Sequence, residues 1–239
     1  PTRKRYFFRL VGRSLILIIC AFLCFAYPQC FDVLNGMNFF RTPSLLHLLW
    51  VIWVIDMILQ LIPVKNHLPL GSQKLYACRF QPIREKINYQ ALREYVVSTT
   101  KAAYKVFILW VLLLSVIGSL HHFGIIGDIT LFMITAVFYV CDLICVLLWC
   151  PFRLLMKTRC CTTCRIFNWD HLMMFSPMLF MNSFYARTLF LLAFAVFLVW
   201  ELCVMMYPER FWEGSNEALK CSSCTDKLCS QYCNKKRYE

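Results

Sequence analysis

Apolar runs of roughly membrane-crossing length alternate with short basic stretches along this 239-residue chain. They cover residues 10–27, 44–62, 103–120, 129–150 and 188–207, each near the ~20 residues that a helix needs to cross a bilayer. Pro28, Pro63, Pro151 and Pro208 follow four of them, where proline ends a helix. Thr2-Arg3-Lys4-Arg5 before the first run resembles the start of a signal peptide, but no small-x-small site follows, so the run reads as an uncleaved span. The pattern predicts an all-α, polytopic membrane bundle over residues 1–207 and a short cysteine-rich tail over 208–239.

Residues 166–183 are harder to assign. Asn168, Asp170 and His171 precede a short apolar stretch that Pro177 interrupts. The segment reads as a sixth span, a re-entrant hairpin or an interfacial helix. Charge favours six spans over five. With the N-terminus in the cytoplasm, six crossings leave only Arg41 and Arg187 outside, and five would move the tail's cations out as well. The long inner loop, 64–102, predicts an amphipathic helix that opens at Pro82 and runs through Leu92, Tyr95 and Val96.

Composition agrees with lipid as the solvent. The chain is 60% hydrophobic and 16% charged, against about a quarter charged in soluble domains. Its net charge of +12 comes without a nucleic-acid recognition motif, so the cations read as topology determinants rather than a nucleic-acid surface.

Three acids fall inside the runs: Asp56, Asp142 and Glu201. Each lies about 18–20 Å from the start of its run, so six spans would place all three in one layer in the inner half of the membrane. An acid facing lipid is costly, so each should face protein or water. They are candidates for a proton or ion relay, or for structural hydrogen bonds to neighbouring helices. His47, His121 and His122 sit at the outer ends of the second and third runs, as candidate haem ligands or ordinary interfacial histidines, the commoner case. Cys141 and Cys145 flank Asp142 on one helix face and read as packing residues.

Sulfur is the other chemical signal, with 15 cysteines in all. Cys221, Cys224, Cys229 and Cys233 follow the pattern C-x2-C-x4-C-x3-C, close enough to wrap a zinc ion or an iron–sulfur cluster. Disulfides are the alternative if the tail lies in an oxidising compartment. The spacing partly resembles the bacterial ferredoxin run but departs in its middle spacer and in Asn234 after the last cysteine. A second set, Cys150, Cys160, Cys161 and Cys164, lies among Arg153, Lys157, Arg159 and Arg165.

Together, Trp149-Cys150-Pro151-Phe152-Arg153, Arg159-Cys160-Cys161-Thr162-Thr163-Cys164-Arg165 and the four-cysteine tail resemble an uncharacterised family of bacterial multi-pass membrane proteins with no established activity. The resemblance implies a bacterial plasma membrane. The first functional expectation is a membrane redox component. Its cytoplasmic cysteines would bind iron–sulfur clusters and serve a cytoplasmic redox partner, while the acids relay protons. The alternatives are a proton-coupled transporter with a structural zinc tail, and a scaffold that binds partners through the tail and the 82–95 helix. No hydrolase constellation is present in the sequence.

Overall fold

The computed structural model describes residues 2–62, 76–84, 86–157 and 164–220. The chain is all-α there. Four helices are long and apolar enough to cross a membrane: α1 (Thr2–Ala26), α3 (Tyr89–His122), α4 (Asp128–Leu147) and α7 (Phe184–Met206). A shorter apolar helix, α2 (Leu46–Leu61), has 16 residues and reaches about 24 Å. Two short helices, α5 (Phe152–Met156) and α6 (Asp170–Phe175), complete the set used below.

The outward faces are apolar. Phe8, Leu15, Ile18, Phe22 and Phe25 line the open side of α1, with Phe25 89% exposed, and Ile108, Leu112 and Val116 do the same on α3. Each such side chain left in water forgoes about 1.5–3 kcal/mol of transfer free energy, so a continuous coat of them points to lipid contact. Inside, Trp53 of α2 meets the rings of Phe132, Tyr139 and Phe175 at 5.2–5.8 Å. Leu131, Tyr185, Leu189 and Trp200 continue this core along α4 and α7.

Contacts fix which end of the bundle each element occupies. The near end is defined here by the N-terminus of α1. Helix α1 runs antiparallel to α4: Tyr6 clusters with Leu143 and Leu147, Arg13 bonds Asp142, and Phe31 beyond the helix meets Phe132. Helix α2 starts at the far end, where the Tyr185 hydroxyl donates to the Leu46 carbonyl, and runs parallel to α7. Helix α3 begins at the near end, where Arg165 donates to Thr100, and reaches His121 beside Asp128 at the far end.

Residues 166–183 fold neither as one straight span nor as a hairpin. Ile166–Trp169 and Ser176–Phe180 are 3-10 turns around α6. Arg165 is tied to Glu201 at the near end, Trp110 of α3 donates to Ser176 midway, and the Phe184 N–H donates to the Gly36 carbonyl at the far end. The segment thus traverses the bundle, buried among α3, α4 and α7. The larger rise of its 3-10 and extended parts gives it a reach of roughly 35 Å.

Other boundaries differ from the sequence pattern. Pro82 pairs with Asn216 instead of opening a helix, and α3 starts after Asn88, whose side chain accepts from the Ala91 N–H. The expected surface helix is therefore the first turns of α3 itself. Helix α4 stops at Leu147, so Cys150 lies beyond it. Residues 208–220 fold back at the near end: the Asn216 side chain accepts from the Gln81 N–H, and Phe211 joins the main core.

Candidate functional site

Arg13 lies twelve positions into α1, with its side chain only 10% exposed. One guanidinium nitrogen donates to the Tyr139 carbonyl at 2.8 Å and to Asp142 Oδ2 at 2.7 Å. The other donates to Asp56 Oδ2 at 3.2 Å. Its carbon sits 3.9 Å from the centre of the Tyr139 ring, adding a cation–π contact. Tyr139 and Asp142 are three apart on α4, so one helix face supplies the carbonyl, the ring and the carboxylate.

His171 extends the group. Its Nδ1 lies 2.8 Å from Asp170 Oδ1, and its Nε2 lies 3.7 Å from Asp56 Oδ2, without a hydrogen-bond partner. The Gln60 amide donates to Asp170 Oδ2 at 3.3 Å. Three carboxyls, one guanidinium and one imidazole therefore meet inside the bundle, contributed by α1, α2, α4 and α6. A cavity of about 220 Å³ reaches Asp142 and Asp170 from one side.

Glu201 does not join them. Its carboxylate accepts from both Arg165 Nε and Nη2 and, at 2.7 Å, from the Trp169 indole. This bidentate pair clamps α7 to the chain entering the broken segment. Of the three expected acids, two share Arg13 and the third has its own arginine.

The histidines have local partners. His47 places Nδ1 against the Ser44 backbone and Nε2 2.7 Å from the Phe39 carbonyl. His121 pairs with Asp128 at 2.9 Å, and His122 packs against Phe123.

Cys150 and Cys164 line the same cavity as Asp142, together with Cys141 and Cys145. The Cys145 thiol donates to the Cys150 sulfur. That bond, with the N–H groups of Arg153 and Phe152 and the nearby Arg153 charge, outweighs burial and pulls Cys150 down to about 6. Among the described residues, no three of His, Cys, Asp and Glu are grouped to hold a metal ion. Cys160, Cys161, Cys221, Cys224, Cys229 and Cys233 lie outside the described residues.

Sequence reasoning missed Arg13, Arg165, Asp170 and His171 as site residues. Arg13 had a usable signal, because an arginine inside an apolar run needs an internal partner. The family expected from the cysteine and arginine motifs is not identified: comparison with protein-family models, curated proteins and solved structures finds no match.

Proposed function

We propose that this chain is a six-crossing membrane protein whose Arg13–Asp56–Asp142–Asp170–His171 cluster binds an exchangeable proton, as the working site of a proton-coupled carrier. The burial of Asp142 at the cavity wall carries this reading. With His171 protonated, three carboxylates face Arg13 and His171, and Arg9 adds a third cation near Asp56. Keeping three carboxyls ionised inside a membrane is costly, so the cluster exchanges a proton at Asp142, one of the two carboxyls that line the cavity. The cavity bordering Asp142 and Asp170 gives that proton a route, and half-buried Asp56 offers another.

The six crossings are α1, α2, α3, α4, the broken 166–180 segment and α7, alternating in direction. Among the described residues, Arg41 and Arg187 are the cations at the far end, which makes the near end cytoplasmic by the Lys/Arg bias of membrane loops.

Infrared titration of the purified protein tests the site. A protonated-carboxyl band should appear as pH is lowered and vanish as it is raised, and Asp142→Asn should abolish that change. Carboxyls that stay ionised throughout would reduce the cluster to a static brace between helices.

A second reading, a membrane redox component, rests on the hydrogen-bonded Cys145–Cys150 pair at the cavity wall. Its iron–sulfur form depends on the tail cysteines and is tested by metal and acid-labile sulfide analysis after anaerobic purification. Zinc without sulfide would instead support a structural tail.

A further inference from the structure

A second concavity lies away from the buried cluster, at the near end between the first turns of α3 and the end of α5. It encloses about 610 Å³. Arg93, Val97, Lys101 and Lys105 recur every fourth residue along α3, so they form one stripe along its wall. Lys157, just past α5, faces them across the opening. All four cations are exposed, and among the described residues none has an acidic partner within ion-pair distance. Glu94 is the acid of the lining, and the Gln90 amide donates to it at 3.5 Å.

We infer that this groove binds the headgroup of an anionic phospholipid. The inference uses the membrane reading of the helices but not the proton-binding role of the Arg13 cluster. Charge supplies the first argument: four unpaired cations around one opening suit a phosphodiester. Position supplies the second. The stripe turns from charged to apolar just past Lys105, where Ile108, Leu112 and Val116 stand 58% exposed at the same helical spacing. Leu155 of α5 is exposed on the opposite wall. A phosphate held by Lys101 and Lys105 would therefore have its acyl chains running along this lipid-facing stripe. A free phosphate ion gains nothing from that apolar continuation, which is why a lipid is the favoured source. The lysine stems can lie along the helix while their ammonium groups stay at the headgroup level.

Heat denaturation of the full chain in neutral detergent tests this, with phosphatidylglycerol, phosphatidylcholine or inorganic phosphate added. Phosphatidylglycerol should raise the unfolding temperature, and the other two should not. K101Q/K105Q should weaken the phosphatidylglycerol effect about thirtyfold in apparent affinity, the loss expected for two lipid-facing cations. R84Q, which lies outside the groove, and D142N should retain it. If K101Q/K105Q does not fold, R93Q/K157Q gives the same readout from the two remaining cations of the groove. Equal protection by phosphatidylcholine, equal protection by inorganic phosphate, or unchanged affinity in the folded groove variants would each overturn the assignment.

Discussion

Removing Arg13 should destabilise the protein more than removing either acid that it holds. R13Q leaves Asp56 and Asp142 without their guanidinium, and breaking a buried ion pair from one side costs about 3–5 kcal/mol. D142N still leaves Arg13 bonded to Asp56, the Tyr139 carbonyl and the Tyr139 ring. Thermal unfolding in detergent should rank R13Q below D142N, with R13Q/D142N recovering part of the loss. Cys150 offers a pH test. The thiolate is the reactive form, and a depressed pKa puts the thiolate in place at lower pH than in an ordinary cysteine. Alkylation followed on the Cys150 peptide should therefore reach half its maximal rate below the usual thiol range, and C145A should move that midpoint upward. Asp56, Asp142 and Glu201 were legible in the sequence because an acid between apolar neighbours is its own signal. Their partners were not. Arg13 and Asp142 lie 129 residues apart, and no local pattern records which helices will be neighbours. Arg13 also passed for one more topology-setting cation because Arg3, Lys4, Arg5 and Arg9 precede it. Cys145 passed for packing because its partner, Cys150, sits past the helix end.

The broken segment sets the limits of pattern reading for an element. Apolar composition and Pro177 left 166–183 open among a sixth span, a re-entrant hairpin and an interfacial helix, and hydropathy does not encode how neighbouring helices make room for it. That room depends on Gly118 of α3. A Cβ built there would come 2.5 Å from the Phe180 ring, so glycine lets the Ser176–Phe180 turn lie against the helix. G118A should force the ring aside and cost about 1–3 kcal/mol, as overpacking does. F180L in the same chain should return part of this, because a smaller side chain frees the contact. A double-mutant cycle on unfolding temperature checks the coupling, and additive losses would remove Gly118 from the account of how the segment fits. Helix α3 teaches a related point. The cations and apolar positions before residue 103 were visible as a helical pattern, yet only the Asn88 cap and the Pro82–Asn216 bridge fix where the helix begins. The cap is a side-chain bond and the bridge rests on backbone bonds between distant segments, and periodicity reports neither.

At the scale of the whole molecule, six alternating crossings and five make opposite statements about where α7 ends. They differ in whether the broken segment crosses. If it carries the chain across, Lys220 shares a side with the N-terminus and with Lys157, and Asn35 shares a side with Ser183. If the segment lies within one leaflet instead, α7 would run the other way and Lys220 would face outward. The six-crossing proposal draws on contacts at both ends: the Phe184 N–H meets the Gly36 carbonyl at one end, and Arg165 holds Glu201 at the other. The distribution of cations agrees, since inner loops of membrane proteins carry the Lys/Arg excess and the far end here holds Arg41 and Arg187. Reporter fusions in a bacterial host give a direct test. A fluorescent reporter that matures only in the cytoplasm should light up after Lys157 and after Lys220, and a phosphatase active only outside should work after Asn35 and after Asn182. Phosphatase activity after Lys220 would return the chain to five crossings. It would also place the tail cysteines in an oxidising space, where disulfides rather than a metal centre become the chemistry to look for.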